Sequence, residues 1–135
     1  MTLEIPVAPG TELPTLVIDA VDPEKMKLMA ALLQDPNPIH FDAEAVRALG
    51  LGDRVINQGP STLSYVLTMV MGWAGGPGAL RNVHMRFLGN VFGGDRVECH
   101  GTIADYDQES GRATLDVHAI ANGRPVIRGS IVVAL

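Results

Sequence analysis

The feature that most constrains the fold of this chain is an apolar helical segment in the middle of the sequence. Within residues 63–74 the polar side chains are those of Ser64, Tyr65 and Thr68. Apolar residues recur at helical spacing along one broad stripe, Leu63, Val66, Leu67, Val70 and Met71, and large side chains occupy another side, Tyr65, Met69 and Trp73. A helix that is apolar nearly all round is buried by its surroundings, so we predict a core helix over residues 59–73, wrapped by a curved sheet.

The sequence after this helix changes to a period of two residues, which is typical of strands. Apolar and polar residues alternate over residues 82–87, and turn signals follow at residues 93–95, 107–111 and 122–123. The last of these, Asn122-Gly123, is a strong hairpin signal. These turns separate four successive antiparallel strands, the last over residues 124–133. Helices followed by an antiparallel meander predict an α+β fold.

The part of the chain before the central helix predicts a short strand and two further helices. The strand covers residues 15–18. The first helix has Asp22 at its N-cap, followed by a proline that suits the first helical position, and its apolar face ends near Gln34. Asp42 is placed to cap a second helix over residues 43–49, which a glycine ends.

Length and composition limit the organisation of the protein and its partners. With 135 residues the chain has the size of one domain, and we predict a single domain over residues 1–135. The formal net charge is −5 and there is no basic run, which disfavours nucleic acid as a partner. An anionic ligand such as coenzyme A can still bind through local arginines, for which the candidates are Arg81, Arg86, Arg96, Arg124 and Arg128. Since 47% of the residues are hydrophobic, we expect apolar surface for contacts between subunits.

Several features bear on the compartment and on metal binding. The lone cysteine, Cys99, cannot form an intrachain disulfide, and the N-terminal MTLEIPVAPG lacks the basic start and apolar core of a signal peptide. The apolar segment is shorter than the roughly 20 residues that span a bilayer. We therefore expect a cytoplasmic protein with no membrane segment. Alternation along a strand puts Cys99 and His100 on opposite faces, so the sequence predicts neither a metal nor another cofactor.

The residues that carry chemistry lie just beyond the first helix, in the sequence DPNPIH from Asp35 to His40. Each proline fixes its own φ and restricts the residue before it, so Asp35 and Asn37 have little freedom. A carboxylate and an imidazole within reach of one small molecule are a recurring device for moving protons at neutral pH. The segment favours acid–base catalysis by Asp35 and His40. The alternatives are helix termination by Asp35 and a structural role for His40.

Two stretches of the sequence carry a family resemblance. Residues 35–42 read DPNPIHFD, and residues 55–61 read VINQGPS before the long helix. Together they resemble the signature of the MaoC-like, or (R)-specific enoyl-CoA hydratase, family. The usual form of that signature resembles GDxNPxHxD, followed by a variable stretch and then xxHGM. Residues 72–79, GWAGGPGA, are similar to a stretch of actinobacterial hydratase and dehydratase subunits. The resemblance implies a hot-dog fold, in which a curved antiparallel sheet wraps the long central helix.

The same resemblance implies a reaction and assigns residues to it. The reaction is the reversible hydration of a trans-2-enoyl thioester, carried by coenzyme A or acyl carrier protein, to the (R)-3-hydroxyacyl thioester. Asp35 and His40 would hold one water between them and transfer the protons, while the backbone N–H of Gly59 would stabilise the thioester oxygen. The candidates for lining the substrate site are Asn37, Gln58, Pro60 and Ser61. The implied protein partner is a second copy of the chain, as a homodimer, or another hot-dog subunit.

The sequence departs from the family pattern at two positions. Gln58 stands where the family commonly has His, and Gln34 stands where it commonly has Gly before the catalytic Asp. Both departures leave the implied acid–base pair intact. Two alternatives stay open: a hot-dog thioesterase, which would direct water at the thioester carbonyl, and a non-catalytic subunit that completes the acyl pocket of a partner hydratase. Asn37 also suits a structural role in the turn.

Overall fold

The computed structural model describes residues 5–135 and contains a five-stranded antiparallel sheet that curves around one long helix. Residues 1–4, part of the N-terminal stretch considered above, lie outside the described residues. The elements are β1 (Leu16–Ile18), α1 (Pro23–Leu32), α2 (Ala43–Ala48), α3 (Gly59–Ala74), β2 (Leu80–Phe87), β3 (Val97–Asp107), β4 (Arg112–Ala121) and β5 (Arg124–Ala134). Single 3₁₀ turns cover Pro38–His40 and Pro77–Ala79. The predicted α+β arrangement, with a curved sheet around a central helix, is confirmed.

The central helix α3 begins and ends where the sequence predicts. Gln58 is its N-cap, and Pro60 stands in the first turn. The helix ends after Ala74 because Gly75 has a φ of 98°, in the left-handed region that glycine adopts without a steric penalty. The predicted caps of the two shorter helices are also present, since the side chains of Asp22 and Asp42 accept hydrogen bonds from backbone N–H groups two residues on.

The burial of α3 differs from the prediction of a helix covered all round. One side packs into the core through Val66, Met69, Val70 and Trp73. Another side is exposed along its length at Pro60, Ser64, Thr68 and Gly72. These four positions are spaced by four residues and therefore form one row on the helix surface. Within the described part of the chain, the sheet covers the helix on one side only.

The strand order of the sheet is β1-β3-β4-β5-β2. Strands β3, β4 and β5 follow one another as the predicted meander. Strand β2 departs from it, because it pairs with β5 and forms an edge of the sheet instead of lying beside β3. The connection from β2 to β3 is not a tight hairpin turn. It runs along residues 54–56, where Gly93 N–H donates to the carbonyl of Val55 and Phe92 forms a bridge with Ile56.

Side chains alternate between the two faces of the sheet. The inner face of β3 and β4 supplies fully buried core residues, among them Val97, Cys99, Ile103, Leu115 and Ala119. Burial raises the pKa of the Cys99 thiol to about 12, so this cysteine does not supply a thiolate at neutral pH. The outer face carries polar residues. Among residues 5–135, no helix has both the length and the apolar character to cross a membrane.

A buried carboxylate holds the connection between β2 and β3. Asp95 is fully buried, and its Oδ1 accepts hydrogen bonds from Arg54 Nη1 at 2.9 Å and Asn122 Nδ2 at 3.0 Å. Its Oδ2 accepts from Arg124 Nη2 at 3.1 Å and from the Phe92 N–H at 3.0 Å. Four donors thus satisfy both carboxylate oxygens, and they fasten residues 92–95 to the start of β5 and to the segment before α3.

Candidate active site

The end of helix α1 sets the position of Asp35. Gln34 has a φ of 51°, and its N–H donates to the carbonyl of Ala31 at 3.2 Å. The N–H of Asp35 donates to the carbonyl of Ala30 at 2.9 Å. This pair of bonds is a Schellman motif, whose left-handed position glycine usually occupies. The motif accounts for the glycine that is common in the family at this position, because glycine adopts a positive φ without a steric penalty. Gln34 has the same backbone conformation in this chain.

Asp35 and His40 face each other directly. His40 Nε2 lies 3.1 Å from Asp35 Oδ2, and the other carboxylate oxygen of Asp35 accepts a hydrogen bond from the N–H of Asn37 at 3.1 Å. The His40 side chain is 9% exposed and that of Asp35 is 37% exposed. A water bridging the two groups would hold them about 5 Å apart, since each hydrogen bond is about 2.8 Å long. The structure therefore brings the predicted pair into contact, with room for solvent on the Asp35 side.

The second ring nitrogen of His40 fixes the imidazole. Nδ1 lies 2.7 Å from the backbone carbonyl of Ile56, which can only accept, so Nδ1 carries a proton. The Ile56 N–H in turn donates to the carbonyl of Ile39 at 2.8 Å. Nε2 is left to exchange a proton with Asp35. This is the arrangement in which a histidine keeps one orientation while one nitrogen stays available for proton transfer.

Asn37 holds the turn between the two catalytic candidates. Its N–H donates to Asp35, and its Oδ1 accepts from the Ile39 N–H at 3.3 Å, which caps the 3₁₀ turn that carries His40. These are the contacts expected for the structural role of an asparagine in a turn. Its part in substrate binding stays a prediction.

Gly59 begins helix α3 three residues after Ile56, the residue that binds His40. No acceptor for the Gly59 N–H exists among residues 5–135, and this N–H points from the positive end of a 16-residue helix. A Cβ at Gly59 would lie 3.4 Å from Cζ of Phe87, an ordinary contact, and φ of Gly59 is not positive. The fold itself therefore does not demand glycine here.

The side chain of Gln58 is turned into the protein. The residue is 1% exposed, and its Nε2 donates to the backbone carbonyl of Met26 in α1 at 2.8 Å. Its Oε1 has no hydrogen-bond partner in the described part of the chain. Gln58 thus ties the first turn of α3 to α1, the helix that ends at Asp35. The structure shows this link between the two halves of the site, and contact of Gln58 with substrate stays a prediction.

Pro60 and Ser61 line a cavity of about 320 Å³ between α1 and α3. The other lining residues are Asp22, Lys25, Leu28, Met29, Asn57, Ser64 and Tyr65. Asn57 Nδ2 donates to Thr62 Oγ1 at 3.1 Å and lies 3.5 Å from the Tyr65 hydroxyl. Burial raises the pKa of Tyr65, the nearby Cys99 adds to this, and the Asn57 hydrogen bond opposes it. Tyr65 is therefore a neutral hydroxyl at the wall of this cavity.

Sequence reasoning missed three contributors to the site. The Ile56 carbonyl is a backbone group, and Phe87 reaches Gly59 only through the folding of a distant strand. Asn57 adjoins Gln58 in sequence, and a polar residue just before the predicted helix was the available signal. Among residues 5–135, no three His, Cys, Asp or Glu side chains gather closely enough to hold a metal ion.

Comparison with known proteins identifies the family. A family profile with the description "MaoC like domain" matches residues 4–121 of this chain. The chain belongs to the MaoC-like dehydratase family. A search of curated proteins finds no match. Membership of this family supports a hydratase or dehydratase role in general terms.

Solved structures of MaoC-like proteins show the same fold. The (R)-hydratase from A. caviae involved in PHA biosynthesis matches with a TM-score of 0.84 at 23% identity, covering 95% of this chain and 96% of that one. A chain of the ChsH1-ChsH2 complex from Mycobacterium tuberculosis matches with a TM-score of 0.82 at 19% identity, covering 95% and 98%. A MaoC-like dehydratase matches with a TM-score of 0.90 at 27% identity, covering 96% of this chain and 41% of that one. The hot-dog fold is thereby confirmed.

Proposed function

We propose that this MaoC-like protein catalyses the reversible hydration of a trans-2-enoyl thioester to the (R)-3-hydroxyacyl thioester. The acyl group is carried by coenzyme A or by acyl carrier protein. Asp35 and His40 transfer the protons, and the N–H of Gly59 stabilises the thioester oxygen. The observation that carries the proposal is the 3.1 Å contact between Asp35 and His40, with the remaining nitrogen of His40 fixed on a backbone carbonyl.

The reaction needs two proton transfers and one place for negative charge. The oxygen of water bonds to C3 while a proton leaves that water, the C2–C3 double bond becomes single, and C2 gains a proton. Between these events, negative charge develops on the thioester oxygen. A coupled carboxylate and imidazole can take up one proton and supply another. The roles of base and acid belong to the pair and not to either residue alone, because interacting titratable groups share their protons.

In this proposal the reacting water lies beside the Asp35–His40 pair, because the two side chains are in direct contact. One proton between Oδ2 and Nε2 can rest on either group, and a water that touches both is then next to an acceptor and a donor at once. The partial exposure of Asp35 gives the water a route to that position, whereas His40 is buried and held in place. This replaces the expectation of a water between the two side chains.

The glycine at position 59 supports the assignment of the oxyanion donor. Neither the space around Gly59 nor its backbone conformation requires glycine, so a close approach by a ligand is the remaining physical reason for a missing Cβ. A helix N-terminus with an unused N–H favours negative charge. A thioester oxygen at this N–H would lie beside the ring of Phe87.

The proposal includes a second hot-dog subunit, either a copy of this chain or a different one. Strand β2 is an edge strand of eight residues, and its Val83 and Phe87 are 40% and 53% exposed. A long edge with exposed apolar residues is a template for pairing with another chain. The known ChsH1-ChsH2 structure is a complex of two such proteins. Sedimentation of the purified chain, alone and with candidate subunits, tests this part.

Incubation with crotonyl-CoA tests the reaction. We expect the absorbance of the enoyl thioester to fall while no free thiol appears. Release of free coenzyme A would instead assign the chain to the hot-dog thioesterases. A third outcome would assign a non-catalytic role to the chain. In that outcome the chain alone shows no reaction, hydration appears once a partner subunit is added, and the Asp35→Asn variant supports hydration by the partner as well as the wild type does.

A further inference from the structure

We propose that a row of basic side chains on the outer face of the sheet is the docking site for an acidic carrier protein that delivers the thioester. The inference rests on the hydratase function proposed above and names the carrier. The row crosses four neighbouring strands, one residue from each: Arg86 on β2, Arg128 on β5, His118 on β4 and His100 on β3.

The register of the sheet puts these four residues side by side. Arg86 pairs with Arg128, Arg128 pairs with His118, and His118 pairs with His100. Residues directly opposite one another project from the same face. The rings of His118 and His100 are stacked, with centroids 5.1 Å apart and an interplanar angle of 19°. With neighbouring strands about 4.8 Å apart, the row extends for roughly 14 Å.

The two arginines of the row lack the carboxylate partners that four of the eight arginines of this chain have. Arg47, Arg54, Arg96 and Arg124 each contact a carboxylate, at Glu44, Asp95, Asp19 or Glu98. Within residues 5–135, neither Arg86 nor Arg128 has a carboxylate oxygen within 4.0 Å. Like charges directly opposite each other destabilise a sheet. Fold stability therefore does not account for the pair, and an anionic partner would neutralise it.

Acidic residues flank the row without entering it. Asp116 lies on the same face, opposite Ser130, one step along the strands from Arg128. Glu98 adjoins His100 and is already engaged by Arg96. Burial, and secondly His100, lowers the pKa of His118, and the permanent positive charge of the row is that of the two arginines. The imidazoles add hydrogen-bonding groups to it.

The shape of this face favours a protein over a small molecule. Small ligands are held in clefts that bury most of their surface, whereas the outer face of a sheet is open. Carboxylates three or four residues apart on a helix are about 5–6 Å from each other, which matches the distance between opposite positions on two strands. A depression of about 640 Å³ is lined by Arg128 and His118 of the row and by Asp116, and its Leu88 and Pro125 offer apolar contact. An acidic helix with a few apolar side chains fits this combination.

The row ends at the edge strand β2, and the candidate active site lies behind that edge. Arg86 and Phe87 are neighbours in β2 and project from opposite faces, and the ring of Phe87 lies against Gly59. A carrier bound at Arg86 would therefore pass its flexible thioester arm around this edge to reach the start of α3. Coenzyme A needs no such docking face, since it carries the thioester by itself.

Charge reversal at the row tests the proposal. We would compare wild-type protein with Arg86→Glu and Arg128→Glu, using crotonyl-CoA and a crotonyl-loaded acyl carrier protein as the two substrates. Arg112→Glu is the matched control, because Arg112 is exposed on the same face of β4, roughly 20 Å from His118, and also lacks a carboxylate partner within residues 5–135. Arg86 and Arg128 are among the five sequence candidates for binding coenzyme A, and the proposal assigns both of them to the carrier protein instead. We therefore expect both row variants to raise KM for the carrier-protein substrate by about tenfold or more, with kcat/KM for crotonyl-CoA unchanged. The affinity of each row variant for the loaded carrier protein, measured by calorimetry, should fall by the same factor as KM rises.

Three results would overturn the inference. They are equal losses with both substrates, an equal effect of Arg112→Glu, and hydration of crotonyl-CoA by a wild-type protein that does not bind the carrier protein. In the last case the hydratase function stands and only the docking site is rejected. If neither substrate is hydrated, the proposed function fails, and the binding measurement still decides whether the row recognises an acidic carrier.

Discussion

Asp95 and Asp35 each have hydrogen-bonding partners at both of their carboxylate oxygens, yet their surroundings are opposite. Asp95 is fully buried and receives two arginines, an asparagine amide and a backbone N–H. Asp35 is partly exposed and has one backbone N–H and the Nε2 of His40. The donors around Asp95 keep their protons at neutral pH, whereas His40 can give one up or take one.

The difference shows how one residue type serves structure in one place and chemistry in another. A carboxylate surrounded by permanent donors has no proton to exchange and no route to solvent, so it can only fasten the segments that supply those donors. A carboxylate with one titratable partner and an open side can pass a proton to a substrate.

The largest effect is expected from Asp35→Asn and His40→Ala. Each removes one half of the proton-transfer pair, so kcat for crotonyl-CoA hydration should fall by about a thousandfold. The thermal midpoint should change little in Asp35→Asn, because this partly exposed side chain keeps an oxygen for the Asn37 N–H and Asn37 retains its cap. It should fall moderately in His40→Ala, because the Ile56 carbonyl loses its buried hydrogen bond. Near-normal turnover in either variant would remove these residues from the mechanism.

Asp95→Asn should act on stability instead. Removing the charge leaves two guanidinium groups without their shared carboxylate, and we expect the free energy of unfolding to fall by about 3 kcal/mol. The half-exposed arginines can turn toward water, which keeps the loss at the lower end of the range for a broken buried pair. Asp53→Asn, at an exposed carboxylate beside Arg54, is the control and should stay within about 0.5 kcal/mol. Denaturant titration measures both, and equal effects would refute the distinction.

Gly59→Ala sharpens the account of the active site. A methyl group here meets only Phe87 inside the protein, at contact distance, so the fold should tolerate it. It would crowd a thioester oxygen at the Gly59 N–H, and kcat/KM should fall by about thirtyfold, or 2 kcal/mol. Steady-state kinetics together with a melting curve separate the two effects. Unchanged kinetics in a folded variant would show that the oxyanion is bound elsewhere.

Gln34→Gly should stabilise the protein without changing its chemistry. Gln34 has a positive φ, which costs a residue with a side chain about 1 kcal/mol relative to glycine. The gain should appear in the denaturation midpoint, while kcat stays the same. Ala31→Gly, in the last turn of the same helix, should lower stability by up to a similar amount. A loss of stability in Gln34→Gly would contradict this prediction and would mean that the contacts of the glutamine side chain outweigh the cost of its positive φ.

The smallest effect concerns His118, a histidine whose neighbour is another histidine. Its pKa is lowered by burial and by His100, so the unfolded chain binds a proton at higher pH than the folded one does. Stability should therefore fall as pH drops from the ordinary histidine value of about 6.5 through the lowered pKa, and this part of the slope should vanish in His118→Gln. Proton NMR of the imidazole provides the check, and a pKa above the ordinary value would contradict it.

The elements that the sequence predicted are those governed by local rules. The apolar pattern and the glycine after Ala74 delimit α3, and Asn122-Gly123 joins β4 to β5. The caps at Asp22 and Asp42 also follow from local hydrogen bonding. The position of β2 did not follow, because pairing with β5 depends on contacts between distant residues and not on a turn.

The candidate site divides in the same way. The two prolines and the short spacing predicted that Asp35 and His40 meet. The tie of His40 to the Ile56 carbonyl and the burial of Gln58 against Met26 did not follow, since backbone acceptors leave no trace in a sequence. Asp95 was interpreted only as a turn residue. Its burial depends on arginines 41 and 29 residues away, which the sequence alone does not bring together.

The most direct measurement of the central claim is the analysis of products formed from crotonyl-CoA by wild-type protein and by folded Asp35→Asn. The account predicts that the wild type adds the mass of one water to the intact thioester and yields the (R)-3-hydroxy product. It predicts that Asp35→Asn, with an unchanged circular dichroism spectrum, yields almost none. Equal formation of this product by both proteins would contradict the assignment of acid–base chemistry to the Asp35–His40 pair.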